Sequence, residues 1–298
     1  MSAEKWLRSS LQHLSDSLKA QGHVSCPNTV RRLLKEMNYS LKANAKRQAG
    51  KQHPDRNAQF EYLEAQKQYF LSKGWPIISI DAKKKELIGN FKNNGQSLCL
   101  EAERVNDHDF KSSATGHAVP YGIYVVNHNQ GYVYVGQSAD TAEFAVDVLA
   151  LWWQEFGKFD FPDVPYLLIL CDGGGSNGYR LRLWKVQLQE KLADQIGLEI
   201  TVCHYPTGAS KWNPIEHRLF GPISTNWAGK PLRTFEIMLA CIRGTNTRTG
   251  LKVSASLVKK VYRKGIKVAK NVMKSLNIEQ HMTCPNWNYT IRPRFTSA

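Results

Sequence analysis

The hydrophobic positions of this chain change period several times, and each change marks an element. Leu7, Leu11, Leu14 and Leu18 share one face at helical spacing, and Gly22 with His23 breaks that pattern. Ser25 is placed to cap a second helix with Pro27 in its first turn, where Val30, Leu33, Leu34 and Met37 follow the i, i+3, i+4, i+7 rule. Two short helices across a turn read as a helix-turn-helix, with Asn28, Thr29, Arg31, Arg32 and Lys35 left for solvent or for DNA. An ordinary helical hairpin with a solvated basic face fits the same residues. Residues 39–57 are polar and basic and read as a linker, followed by a helix over 57–71.

Beyond residue 75 the pattern becomes that of strands alternating with helices. An apolar run at 76–80 predicts a strand, and residues 93–119 lack periodicity and predict a long surface loop. A hairpin follows over 121–126 and 132–135, then a helix over 141–156 with Phe144, Val148, Leu151 and Trp152 on one face. The run 166–171, a Gly-rich turn, a helix over 179–196 and the run 199–204 make a βαβ unit, which should be right-handed. In that helix Leu181, Trp184, Leu188 and Leu192 form a stripe, and Gly197 is a fitting stop. Hairpin strands first and a βαβ unit later imply an α/β fold: a mixed sheet with helices on both faces, preceded by a small all-α region. The expected division is a helix-turn-helix and basic linker over 1–52, a core over 53–229, and a basic helical segment over 230–298 packed on that core.

Composition excludes several classes. At 298 residues and 42% hydrophobic the chain builds an ordinary globular core, and no apolar stretch approaches the roughly 20 residues that span a bilayer. There is no signal-like h-region, and the six cysteines show no CxxC spacing, with Cys171 and Cys203 inside apolar runs. Reduced thiols in a cytoplasmic protein are the expectation. The net charge of +15 is unevenly spread. Residues 1–60 hold 11 Lys/Arg against 4 Asp/Glu and residues 230–298 hold 14 against 2, whereas 61–229 hold 15 against 19. Basic ends attract phosphate backbone and an acidic middle attracts metal ions, so nucleic acid is the favoured substrate.

Three acids carry the candidate chemistry. Asp81 ends the run 76–80, Asp172 ends the run 166–171, and Glu216 follows the run 199–204 within Asn213-Pro214-Ile215-Glu216. Carboxylates at the carboxyl edge of buried strands stand where α/β sheets place ligands, and hard cations such as Mg²⁺ take oxygen ligands. Each aspartate also fits a turn or a cap. Glu216 fits position N3 of a capping box begun by Asn213. Asp172-Gly173-Gly174-Gly175-Ser176-Asn177-Gly178 lacks the endings of nucleotide-binding loops, so its glycines suit close approach of DNA or metal, or a tight turn. Lys83, Lys84 and Lys85 could grip a phosphate or be a solvated run. His204 and His217 flank the third acid without zinc spacing, and Trp212 suits base stacking or packing.

Taken in order, these segments resemble the DDE transposases of bacterial insertion sequences, in particular the Rhodopirellula-type transposase family. The resemblance is carried by HPDRNAQFEYLEAQ, PIISIDAKKKELIGNFKNNG, PYGIYVVNHNQGYVYVG, DTAEFAVDVLALWWQEFG, DGGGSNGYRLRLWKVQLQ, GLEITVCHYPTGASKWNPIEHRLF, TRTGLKV and WNYTIRPR, which together cover nearly all of residues 53–294. The stretch GHVSCPNTVRRLLKEMNYSLKAN looks like the family's helix-turn-helix portion. Family members usually carry further residues ahead of it, so residues 1–20 read as a shortened DNA-binding region or a remnant start. The resemblance implies an RNase H-like core, with Asp81, Asp172 and Glu216 as both catalytic triad and metal ligands. It implies Mg²⁺ as cofactor with Mn²⁺ as substitute, element ends and target DNA as partners, and self-association on DNA, with no membrane partner or nucleotide cofactor. It also implies a bacterial cytoplasmic location, nucleoid-associated when bound to DNA. DNA contacts are expected from Asn28, Thr29, Arg31, Arg32, Lys35, Lys83, Lys84, Lys211 and Arg218, and from Lys259, Lys260, Arg263, Lys264, Lys267 and Lys270. The alternatives are an RNase H-like nuclease without strand transfer and a non-catalytic DNA-binding remnant of a transposase.

Overall fold

A computed structural model describes residues 7–41 and 53–294, and the chain forms two compact units, Met1–Gly50 and Lys51–Ala298. In the first unit, α1 (Leu11–Ala20) starts at Ser10, whose hydroxyl accepts from the His13 amide at 3.1 Å. The second helix, α2 (Pro27–Glu36), is capped at Cys26 rather than at Ser25. The Ser25 carbonyl accepts the Ser15 hydroxyl and its own hydroxyl is buried without a partner, so it faces away from the α2 amides. Val30 is buried as expected, but Leu33 and Met37 stay exposed, because one short partner helix cannot cover a four-residue stripe. Most of the expected linker, residues 42–52, lies outside the described residues.

The second unit begins with α3 (Arg56–Lys73), which Gly74 ends in a left-handed conformation, φ 69°. Then follow β1 (Ile77–Ala82), β2 (Glu86–Ile88), β3 (Gly116–Val125) and β4 (Gln130–Gly136). The loop between β2 and β3 is shorter than expected at its far end, because Gly116 to Ala118 are fixed by pairing with β2 and not by a hydrophobic run. Helix α4 (Ala142–Trp152) continues through a π-helical stretch, Trp153–Gly157, into α5 (Lys158–Asp160). Next come β5 (Tyr166–Cys171), α6 (Arg182–Gln187) with its π-helical extension Leu188–Asp194, and β6 (Glu199–His204). Helix α6 starts later than residue 179 because the Leu181 amide closes a turn onto the Gly178 carbonyl at 3.0 Å. A π-helical turn, Glu216–Phe220, runs into α7 (Gly221–Asn226), and α8 (Phe235–Arg243) follows.

The segment expected to be helical, 230–298, holds α8 and α9 (Lys270–Lys274) and also supplies three strands, β7 (Lys252–Val258), β8 (Ile278–Gln280) and β9 (Asn288–Ile291). In β7 the exposed Lys252, Ser254 and Ser256 alternate with less exposed positions, the period-two pattern of a half-buried strand. Among the described residues the sheet has nine strands, in the order β7-β4-β3-β1-β5-β6-β9-β8, with β2 paired to β3. At its centre β3 is antiparallel to both β1 and β4, while β5 and β6 run parallel to β1. An antiparallel meander extended by two parallel strands is the RNase H-like arrangement. Ile78, Ile80, Ile169 and Val202 join α4 and the 182–194 helix in one core cluster. Ile77, Leu168 and Cys203 face α3, and Val133 and Val135 face Ile215, Leu219 and α8. Among the described residues no helix is long and apolar enough to cross a membrane.

Candidate active site at the ends of β1 and β5

Strand pleating decides where the aspartates point. Ile77, Ser79 and Asp81 share one face of β1, and Leu168, Leu170 and Asp172 share the matching face of β5. The parallel register pairs Ile80 with Cys171, so one step further brings Asp81 level with Asp172 on strands about 4.8 Å apart. That spacing sets two carboxylates beside each other at the carboxyl edge of the sheet.

The third acid arrives on a helix that needs bare backbone beneath it. Gly122 pairs with Asp81, and a Cβ there would lie 2.6 Å from the Phe220 ring and 2.8 Å from the Ile215 side chain. At Gly131 a Cβ would run into Leu219. Glycine at both positions lets the Glu216 helix lie directly on β3 and β4. Its first residues are tied to β1 by a buried polar link. The Ser79 hydroxyl accepts from the Ile215 amide at 3.1 Å and donates to Asn213 Oδ1. The Asn213 amide donates to the Ile80 carbonyl at 3.3 Å and reaches Asp172 Oδ1 at 3.5 Å. Asn213 therefore turns into the sheet instead of capping its own helix, and Ser79 supplies the cap from another element. Glu216 begins a π-helical turn, the kind of insertion that re-aims side chains at functional sites.

The three acids feel one another's charge. Burial, reinforced by the Asp172 carboxylate and by Glu216, pushes the Asp81 pKa up to about 8, against the Ala82 amide, which donates to Asp81 Oδ1 at 2.7 Å. Burial followed by the Glu216 charge raises Asp172, against the Asn213 amide. Among the described residues no Lys, Arg or His forms an ion pair with any of the three. Nor, among the described residues, is any group of three His, Cys, Asp or Glu side chains drawn together closely enough to hold an ion. The acids lie near enough for charge to raise the pKa of Asp81 and Asp172, with Asp81 and Glu216 within hydrogen-bonding reach, and their mutual repulsion is what a bound cation would relieve. An all-oxygen, uncompensated donor set fits Mg²⁺ or Mn²⁺.

The surroundings divide the other expected residues. Lys83 is half-buried, 5.1 Å from the Trp227 ring; burial lowers its pKa while Glu86 and Glu216 pull it back. Lys84, Lys85, Lys211 and Arg218 are exposed. Trp212 is half-exposed and packs against Phe60 at 5.6 Å, with the Arg56 guanidinium 5.0 Å and the Lys211 ammonium 4.0 Å from its ring. His204 is fully buried, with its ring nitrogens 2.9 Å from the Trp287 and Asn177 carbonyls. Burial pushes its pKa down to about 4, against the two carbonyls, which favour the protonated ring. His217 is exposed and bonds the Lys211 carbonyl. Asn28, Arg31, Arg32 and Lys35 are exposed on α2, with Arg32 paired to Glu36 at 2.8 Å; Thr29 is partly buried and bonded to Cys26 at 3.3 Å. Lys259, Arg263, Lys264, Lys267 and Lys270 are exposed, but Lys260 is committed to Glu143 at 3.0 Å and Asp147 at 2.8 Å.

Ser79 and Asn213 are site residues that sequence reasoning misses. A serine at the centre of an apolar run is the available signal for Ser79, whereas the local sequence around Asn213 spells a helix cap. Arg180, Arg182 and Lys185, beside the Gly-rich turn, carry no signal beyond their charge.

Comparison with known proteins places the chain in a family. Among solved structures it is similar to a Mos1 transposase paired-end complex with left transposon end, at 14% identity and TM-score 0.44 over 77% of this chain and 64% of that one. It is also similar to a Mos1 mariner paired end complex with Mn, at 13% identity and TM-score 0.45 over 77% and 64%. A third, the mariner Mos1 paired end complex with Mg, matches at 15% identity and TM-score 0.44 over 80% and 71%. The first two matches thus span less than two thirds of those chains. Among curated proteins there is no significant match. The family model described as the Rhodopirellula transposase DDE domain matches residues 1–293, and the chain belongs to that family.

Proposed function

We propose that this protein is a DNA transposase that cuts the ends of an insertion sequence and joins them to target DNA, using Asp81, Asp172 and Glu216. The observation that carries the reading is the convergence of three acids, with no cationic partner among the described residues, at one sheet edge of a basic protein. Divalent cations bound there, Mg²⁺ or Mn²⁺, would activate the attacking oxygen and stabilise the leaving one. Asp81 and Asp172 supply oxygen ligands from adjacent strands and Glu216 supplies a third from its helix. The Ser79–Asn213 link fixes the distance between strand and helix, and so sets where Glu216 can reach. Gly174 and Gly175 leave open space where a Cβ would stand, which admits a DNA backbone beside Asp172. Lys83, drawn to Glu216, is placed to meet a phosphate oxygen.

The chemistry has two in-line displacements. Water attacks the phosphorus at the element end; its oxygen joins phosphorus, and the strand's 3′ oxygen leaves and is protonated to a 3′-OH. That 3′-OH then attacks a target phosphodiester, forming one P–O bond as another breaks, so no nucleotide cofactor is consumed. The exposed residues of α2 and the basic face after β7 would hold element DNA, with chains associating on paired ends. The test uses the DNA flanking the protein's own reading frame and a marked target duplex in Mg²⁺. Joined product is expected. Cleavage without joining would make the protein a nuclease, and binding without either reaction a non-catalytic remnant.

A further inference from the structure

A second charged feature lies beside the Gly-rich turn, outside the acid cluster. A cavity of about 770 Å³ is lined by Arg180, Arg182, Lys185 and Lys270 together with Tyr179 and Trp287. Among the described residues that line it, Asp55 is the one acid, and it lies 3.6 Å from His53 Nδ1. Among the described residues none of the four cations forms an ion pair. Arg180 stays on Tyr179, with Nε donating to its hydroxyl at 2.9 Å. Arg182 donates to the Val268 carbonyl at 3.2 Å. Lys185 is half-buried 4.9 Å from the Tyr289 ring, and burial lowers its pKa. Burying part of a lysine without a carboxylate is costly unless another anion faces it.

The position of the groove identifies that anion. Tyr179 forms one wall and also lies against Gly173, within 3.4 Å of where a Cβ would stand, so the groove opens directly beside the residue after Asp172. Thr207, just beyond β6, lines it as well, which places it at the same carboxyl edge of the sheet as the acids. Four such cations along one groove match the repeated charge of a phosphodiester chain better than a single small anion. The four cations outnumber Thr207 and Asn286, the described lining's aliphatic hydroxyl and amide side chains, so phosphate contacts dominate the lining.

We infer that this groove binds the sugar-phosphate backbone of DNA, independently of sequence, and leads the strand toward Asp172. The inference takes its substrate from the transposase reading but requires no catalysis. It is tested by fluorescence anisotropy of labelled DNA over a range of salt in chelator, with the full chain. Arg180→Gln/Lys270→Gln changes two exposed groove residues; Lys158→Gln/Lys252→Gln is a charge-matched control outside the groove. The groove variant should lower the steepness of log affinity against log salt by about 1.8 on duplex, or about 1.4 where the contacted DNA is single-stranded, and weaken all sequences equally. Circular dichroism checks that both variants fold. An unchanged slope, or an equal fall in the control, overturns the inference. A reduced slope in a protein that cuts no DNA would leave the groove standing and remove the transposase reading alone.

Discussion

Asp147 and Asp81 are both half-buried aspartates, and their surroundings are opposite. Asp147, on α4, bonds Lys191, Lys260 at 2.8 Å and the Tyr262 hydroxyl at 3.0 Å. Burial pushes its pKa up, but the two lysines and the hydroxyl outweigh that and hold it below the usual value. Burial raises the Asp81 pKa most, and the Asp172 and Glu216 charges add to it until it reaches about 8. Burial is common to both sites; counter-charge separates them. Asp147 completes a network in which the chain supplies every charge, as a structural acid does. The charges that act on Asp81 itself, Asp172 and Glu216, are both negative, which suits the proposed role of a cation ligand.

Breaking each site should therefore have a different signature. The largest effect is expected from Asp81→Asn or Asp172→Asn, which should cut metal-dependent cleavage of element-end DNA by about 10³-fold or more while leaving DNA binding intact. Asp147→Ala should leave the cleavage rate of folded protein unchanged but cost about 2 kcal/mol in urea denaturation, because it strands the partly buried Lys191, the exposed Lys260 adding little. If Asp147→Ala abolished cleavage without lowering stability, the contrast between the two sites would fail.

A pH series sharpens the same comparison. The folded pKa of Asp81 lies above its ordinary value of 3.8, so the stability tied to its neutral form is whole below about pH 4 and is lost as pH rises through about 8. Metal-free Asp81→Asn should then be more stable than the unmutated protein at pH 8 by roughly 1–3 kcal/mol, with the gap closing toward pH 4. Asp147 has the opposite sign: its lowered pKa gives stability that is present at neutral pH and lost as pH falls through the folded value. Thermal melts of the two variants across pH should cross over. The smallest effect is expected from Ser79→Ala, at about 1 kcal/mol of stability, with a cleavage loss that exceeds what partial unfolding explains.

The same contrast explains what can be read from the chain. The runs 166–171 and 199–204 form β5 and β6 with the expected bounds: the first is six apolar residues, and the second is β-branched at Ile200, Thr201 and Val202 and stops before Pro206. Asp81 and Asp172 stand out because strand-end acids are visible locally. Glu216 does not, since its neighbours spell a capping box; what frees it is the Ser79–Asn213 bond, formed across 134 residues. The segment after residue 230 reads as helical but mixes α8 and α9 with three strands: β7 alternates polar and apolar residues like a half-buried strand, and its pairing with β4 is set by the sheet. The cationic groove joins residues from before α3, the start of α6 and α9, a juxtaposition no local pattern contains.

The central claim is that Asp81, Asp172 and Glu216 form a cation site, and titration calorimetry of Mn²⁺ into the full chain at neutral pH tests it most directly. Run in buffers of different ionisation enthalpy, it should show binding coupled to proton release, because the raised Asp81 must give up its proton. Binding and proton release should both be lost in Asp81→Asn/Asp172→Asn. Mn²⁺ binding of undiminished affinity in that double variant, or none in the unmutated protein, would contradict the account.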